Sequence, residues 1–255
     1  MVTKKSTTIN PADVANFVKI AEQWWDPKGK FAPLHKFNPI RLKYIRSQLL
    51  AHFNLAAAEG FDVAQPYNGL RILDIGCGGG LLTEPIFRLG ADIIGADAAE
   101  KNVNIASAHA MEQGLDIDYR ATTSEDLAAN GETFDVILNM EVIEHVADVP
   151  LFLSSCQAML KPGGIMFVAT LNRNFKSFAM AIVGVEYVLG WLPKGTHNWS
   201  QFIIPKELQD MCEGLGLKLI DETGVKYNPL SDRFSLSGDM SINYIQVYSE
   251  PKPKT

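Results

Sequence analysis

From Arg71 to Thr170 short apolar runs alternate with longer amphipathic stretches. The runs Arg71–Ile75, Asp92–Ala96, Ile117–Ala121, Phe134–Asn139 and Ile165–Thr170 have strand length and predict five β-strands. Between them, Leu81–Leu89, Glu100–Gln113, Ser124–Ala129 and Asp148–Leu160 predict helices. Val136-Ile137-Leu138 and Ile165-Met166-Phe167-Val168 are apolar without alternation, as in strands covered on both faces. The whole pattern predicts an α/β fold with a doubly wound, mostly parallel sheet and right-handed crossovers. Further on the pattern changes. A helix at Pro205–Gly214 precedes strands at Leu217–Thr223 and Ser241–Ser249, which are close enough in sequence to pair antiparallel.

Two helices are predicted ahead of the sheet. Asn10-Pro11 supplies a capping side chain and a proline suited to a first helical position, with the helix running to about Trp25. Asn38-Pro39 predicts a second start, with a helix to about Phe53, and Ala57–Gly69 reads as a linker.

Composition narrows the partners. A chain of 255 residues that is 47% hydrophobic can bury a core without disulfides or structural metal. The net charge of −6 argues against a nucleic-acid backbone as the main partner. That mean hides an asymmetry. Pro27–Ala58 holds Lys28, Lys30, Lys36, Arg41, Lys43 and Arg46 with no acid, leaving −12 on the remainder. Three cysteines without a C-x-x-C pair fit a reducing compartment. Met1–Asn10 lacks the apolar region of a secretory signal, and the apolar run Phe178–Pro193, broken by Glu186, is too short to span a bilayer. The expectation is a cytoplasmic protein.

The first strand runs into Asp74-Ile75-Gly76-Cys77-Gly78-Gly79-Gly80, and Asp97 ends the second. Glycines at such a turn let backbone approach a ligand, and an acid at that distance can accept bonds from ribose hydroxyls. The third glycine of a dinucleotide loop would stand at position 81, which is Leu81. That disfavours a nicotinamide oxidoreductase, and Asp74 beside the turn suits a ligand carrying an ammonium group better than a pyrophosphate.

The fourth strand leads into Asn139-Met140-Glu141-Val142-Ile143-Glu144-His145. In a helix, Glu141, Glu144 and His145 would share one face, able to ligate a divalent cation or supply a general base. The N-P-P-Y found where amino groups are methylated is absent.

Arg71–Gly80 resembles the first motif of class I S-adenosylmethionine-dependent methyltransferases, a Rossmann-like fold. The resemblance becomes closer over Trp24-Trp25-Asp26, Pro33-Leu34-His35 and Asn38-Pro39-Ile40-Arg41-Leu42, which is similar to the signature of bacterial ubiquinone-biosynthesis O-methyltransferases. Thr170–Asn174, Val183–Tyr187, Pro193–His197, Lys226–Pro229 and Asn243-Tyr244 continue it to the end. Phe175 departs from it, standing where small residues are common.

This resemblance implies S-adenosylmethionine bound by Asp74 and the loop at Gly76 and Gly78 (methionine end), Asp97 (ribose), Glu125 (adenine), Arg41 and Met140. It implies His145 as a base, with Glu141, Glu144 and His145 at positions for a divalent ion such as Mg2+. The substrates would be catechol-like polyprenyl intermediates, 2-polyprenyl-6-hydroxyphenol and 3-demethylubiquinol. It also implies one methyltransferase domain over 69–250 with an insertion at about 172–203, a helical cap over 1–68 and a disordered tail at 251–255. The expected partners are that polyprenyl phenol or quinol and other ubiquinone-biosynthesis enzymes, with no nucleic acid. Trp24 and Trp25 would anchor the cap hydrophobically. The run with Phe178, Ile182, Val185 and Leu189, flanked by Arg173, Lys176 and Lys194, would be a lid or a peripheral contact with anionic lipid at the inner membrane face.

Overall fold

The computed structural model describes residues 7–177 and 199–252. The cap holds α1 (Pro11–Ile20) and α2 (Ala32–His52). The sheet and its crossovers follow: β1 (Arg71–Ile75), α3 (Thr83–Arg88), β2 (Asp92–Asp97), α4 (Glu100–Glu112), β3 (Asp118–Ala121), α5 (Ser124–Ala129), β4 (Phe134–Met140), α6 (Val149–Ala158) and β5 (Leu160–Leu171). A single turn, α7 (Phe175–Ser177), precedes α8 (Pro205–Gly214), β6 (Lys218–Asn228), β7 (Arg233–Ser237) and β8 (Asn243–Ser249).

The eight strands form one sheet in the order β3-β2-β1-β4-β5-β8-β6-β7. The first five are mutually parallel; β8 is antiparallel to β5 and β6, and β7 is antiparallel to β6. The chain leaves β1 toward β2 on one side and returns to β4 on the other, which opens a crevice at their carboxyl ends. The apolar strands serve both faces. Ile137 and Met166 join one core with α6 and α8, whereas Val136, Leu138 and Phe167 join another under α2 and α3.

Four sequence expectations are corrected. Helix α1 ends at Ile20, and a 3-10 turn at Ala21–Gln23 follows, so both tryptophans lie beyond the helix. Helix α2 begins at Ala32, with Pro33 in its first turn and Pro39 inside it. Asn38 therefore caps nothing; buried, its side-chain amide donates to the Leu81 carbonyl at 3.0 Å and ties the cap to the core. Strand β6 extends to Asn228 and returns through β7, an edge strand that Pro229 and its five-residue length hid. The antiparallel portion thus has three strands rather than the two expected. Asn10 does cap α1, accepting from Ala12 N at 3.2 Å. The apolar run from 178 to 193 lies outside the described residues.

Candidate active site

The turn after β1 is crowded by protein. Gly76 (φ +73°) and Gly78 (φ +55°) hold left-handed conformations that favour glycine. The amides of Gly76 and Cys77 both donate to the Ala96 carbonyl, at 2.7 and 3.0 Å, binding the turn to β2. A Cβ at Gly76 would stand 2.3 Å from Val142 Cγ2, one at Gly78 2.4 Å from the Trp24 ring, and one at Gly79 2.4 Å from Trp24 Cγ. These glycines admit side chains from the cap and from the segment after β4, contacts that leave no signal in the sequence around the turn.

Two buried acids flank the turn. Asp74 accepts from Thr83 Oγ1 at 2.6 Å, yet burial raises its pKa to about 7. Asp97 is raised by burial too, against the bonds that it accepts from Ala99 N (2.8 Å), Gly78 N (3.0 Å) and Asn102 Nδ2 (3.2 Å).

The segment after β4 is not helical through Glu141, which corrects the shared helical face. Glu141 has φ +63°, and only Ile143–His145 form a 3-10 turn. The left-handed residue aims Glu141 at the cap. Its Oε1 lies 3.1 Å from Nη2 of Arg41, a guanidinium only 4% exposed. That contact is an ion pair without hydrogen-bond geometry: Arg41 Nε and Nη2 and Glu141 Oε1 are all buried without a hydrogen-bond partner. Glu144 is buried and accepts from Thr170 Oγ1 at 2.9 Å. Burial, then the charge of Glu141, pushes its carboxyl well above the carboxylate range. His145 turns the other way, with Nδ1 3.6 Å from Asp13 Oδ2 and the Phe17 ring edge-on at 5.0 Å.

The cap closes over these groups. Thr7 Oγ1, Thr8 N and Thr8 Oγ1 donate to Glu125 at 3.0, 3.0 and 2.7 Å. The Thr8 carbonyl accepts from Ala147 N at 2.9 Å, so a strap of backbone joins the segments after β3 and β4. Beneath lies a cavity of about 430 Å³, within the range of small-molecule sites. Arg41, Asp74, Gly76, Gly78, Asp97, Met140, Glu141, Glu144 and His145 all line it. Glu125 does not; it holds the strap, and Thr122, Thr123 and Ser124 face the cavity at that place. Among the described residues, no group of three or more His, Cys, Asp or Glu is gathered as a metal would require.

Asp13, Trp24 and Asn102 also line the cavity and were missed as site residues. The paired tryptophans were legible only as an anchor, and Asp13 and Asn102 sit in helical turns with nothing in sequence to mark them. Among the described residues no helix is long and apolar enough to cross a membrane.

A methyltransferase-domain family model matches residues 42–222. The ubiquinone biosynthesis O-methyltransferase of Parvibaculum lavamentivorans is 59% identical over 241 residues, covering 94% of each chain. That of Mesorhizobium japonicum is 56% identical over 94% of this chain and 95% of its own. Among solved structures, magnesium protoporphyrin IX methyltransferase from Synechocystis with bound SAH superposes with a TM-score of 0.59 at 17% identity, covering 94% of this chain and 95% of that one. An Aquifex aeolicus SAM-dependent methyltransferase gives 0.58 at 14% identity over 91% and 98%. At these identities the structures speak to the fold alone.

Proposed function

Because this chain belongs to the ubiquinone biosynthesis O-methyltransferase family, we propose that its cavity takes S-adenosylmethionine and the phenolic ring of a polyprenyl catechol or quinol, and that it methylates a ring hydroxyl. The observation that carries this reading is Arg41: a buried guanidinium whose Nε has no hydrogen-bond partner and whose Nη2 has only the misaligned ion pair with Glu141, opening on a cavity it shares with Asp74 and Asp97. Buried donors without partners are costly and mark a place for an anionic ligand group. A carboxylate on Arg41, an ammonium near Asp74 and ribose hydroxyls on Asp97 match the donor's three polar features. Met140, at the end of β4, lends the same wall an apolar surface.

When bound, the donor supplies a methyl group already made electrophilic by its sulfonium. The chain's own residues must therefore position and ionise the acceptor. A phenol with pKa near 10 is ionised about one part in a thousand at pH 7, so reaching the phenolate costs about 4 kcal/mol. His145 takes that proton, with Asp13 on the Nδ1 side of its ring. The oxygen then forms its bond to the methyl carbon as the carbon–sulfur bond breaks toward sulfur. The strap Thr7–Asp13 and helix α2 exclude water. The two acceptors implied are 2-polyprenyl-6-hydroxyphenol and 3-demethylubiquinol.

A divalent cation such as Mg2+ on Glu141, Glu144 and His145 does not fit this arrangement. Glu141 faces Arg41, Glu144 holds Thr170, and His145 faces Asp13. The proposed contact with anionic lipid rests on the apolar sequence from 178 to 193 with Arg173, Lys176 and Lys194 beside it; unchanged liposome co-sedimentation of Ile182→Glu with Lys176→Glu would remove it.

Methyl transfer to a short-chain prenyl catechol, with and without EDTA, tests the whole reading. Product is expected in the presence of the donor; none under either condition sinks the substrate assignment. Activity lost to EDTA and restored by Mg2+ would require Glu141 to leave Arg41.

A further inference from the structure

The cap meets the donor site at two adjacent side chains that the reaction does not use, Trp24 and Trp25, the second donating its Nε1 to the Gly79 carbonyl at 2.9 Å. Trp24 lies just after the 3-10 turn Ala21–Gln23, is 7% exposed, and stacks flat on Phe31 with ring centroids 3.6 Å apart. Its other face covers the backbone of Gly78 and Gly79 so closely that a Cβ at either would stand 2.4 Å from it. Its Nε1 donates to Asn102 Oδ1 at 3.0 Å, a bond buried on both sides. Asn102 turns its Nδ2 to Asp97 Oδ1 at 3.2 Å. Beside this line, Lys101 Nζ pairs with Glu22 Oε1 at 2.9 Å, so the turn bearing Trp24 is docked on the first turn of α4 twice.

We propose that Trp24 is a positioning residue of the donor site, acting through Asn102 on Asp97 and directly on the Gly78-Gly79 backbone, so that closing the cap and shaping the ribose-binding carboxylate are one event. The chemistry follows from donor and acceptor roles. An amide side chain can turn its oxygen and nitrogen either way round; the indole N–H, which can only donate, fixes the oxygen of Asn102 toward Trp24 and hence its N–H toward Asp97. Asp97 then holds three donors, from Gly78, Ala99 and Asn102, which set the plane of its carboxylate. Removing the indole N–H leaves the Asn102 oxygen buried without a partner, so the side chain is no longer held in place against Asp97. The same ring clamps the loop that would hold the methionine end. A hydrophobic anchor alone would need neither the directed hydrogen bond nor the contact with both glycines.

This inference rests on the donor-binding reading above, and the experiment separates the two. Calorimetric titration of S-adenosylhomocysteine into the full chain is compared for wild type, Trp24→Phe and Asn102→Asp. Phenylalanine keeps the stack on Phe31 and removes the N–H; aspartate keeps an acceptor for the indole but no donor for Asp97. Both variants are expected to bind about tenfold more weakly, equivalent to about 1.4 kcal/mol. At saturating donor, the KM for the phenolic acceptor is expected to stay within about twofold, a split that general loosening of the fold would not give. If wild type fails to bind, the donor reading falls and this one with it. If wild type binds and either variant binds equally well, the relay is refuted while the donor reading stands; Asn102→Asp provides that test even where Trp24→Phe does not fold.

Discussion

Asp13 Oδ2 lies 3.6 Å from His145 Nδ1, across the gap between the cap helix and the turn after β4. Asp13 is itself held by Asn10, whose Nδ2 donates to its Oδ2 at 2.9 Å, and Asn10 caps the same helix. A carboxylate on Nδ1 leaves Nε2 as the ring nitrogen suited to accept a proton, so the orienting group belongs to the cap and the base to the core. Glu141, Glu144 and Arg41 face one another instead.

Asp13→Asn is therefore expected to lower kcat about tenfold, part of the hundredfold or more that a positioned base contributes. Affinity for S-adenosylhomocysteine should be unchanged, since Asp13 makes no bond to Asp74, Asp97 or Arg41. Asp13→Glu should recover most of the rate. Single-turnover kinetics at saturating donor measure this directly, and an unchanged rate in Asp13→Asn would end the positioning role.

Asp74 gives a pH dependence with a definite sign. Its carboxyl is raised by burial from 3.8 to about 7 in the free protein, with Thr83 and Arg41 pulling the other way. A raised acid stabilises the fold fully below its unfolded pKa, and this contribution is lost as pH climbs through about 7. A ligand ammonium needs the ionised form, so binding must release a proton wherever Asp74 is protonated. Affinity for S-adenosylhomocysteine is expected to rise by up to about tenfold per pH unit between about pH 5 and 7, then level off. Calorimetry in buffers of different ionisation enthalpy should count the released proton. Asp74→Asn should abolish the dependence, and it should also raise the thermal midpoint of the free protein above pH 7, where wild type carries a buried charge.

Glu144 tests what holds the two carboxyls together. Burial and Glu141 raise it well above the ordinary range, so it keeps its proton where exposed glutamates have lost theirs. Its stabilising contribution is present at low pH and lost as pH rises through its raised pKa. Glutamine is a close mimic of the protonated form and can still accept from Thr170 Oγ1. Glu144→Gln is thus expected to melt within about 2 °C of wild type near pH 6 and above it near pH 9, as scanning calorimetry would show. A variant that melts far below wild type at both would mean that Glu144 carries a charge in the native state.

The sheet was legible because its strands are apolar on both faces, a pattern that no surface helix of this length needs. The site was legible where chemistry is local: Asp74, the glycines and Asp97 lie at fixed offsets from strands β1 and β2. What failed was geometry set by tertiary contact. Periodicity placed Glu141 on a helical face, but the ion pair with buried Arg41 holds it at φ +63° and turns it away from His145. Pro39 read as a helix start because the tertiary bonds that carry α2 through it, such as Asn38 to Leu81, leave no trace in a local window. Glu125 follows from the resemblance as a contact for adenine; its bonds to Thr7 and Thr8, more than a hundred positions away, have no signal in the sequence around it.

Gly79 and Gly216 separate two reasons for glycine. Gly79 has an ordinary φ, so alanine is conformationally allowed, but its Cβ would lie 2.4 Å from Trp24 Cγ and 2.5 Å from Trp24 Cβ. Those atoms sit at the root of the side chain and cannot swing aside, so the cap must shift. Gly216 has φ +89° with open space where a Cβ would go, so alanine there meets strain and no neighbour. Gly79→Ala is expected to cost about 1–3 kcal/mol, read as a fall of several degrees in thermal midpoint and faster amide exchange over the cap. In a Trp24→Ala background the same change should cost under about 0.5 kcal/mol, because the obstacle is gone. Gly216→Ala should cost about 1–2 kcal/mol whether Trp24 is present or not. Equal costs for Gly79→Ala in the two backgrounds would show that the loop glycine serves the loop itself and that the cap does not press on it.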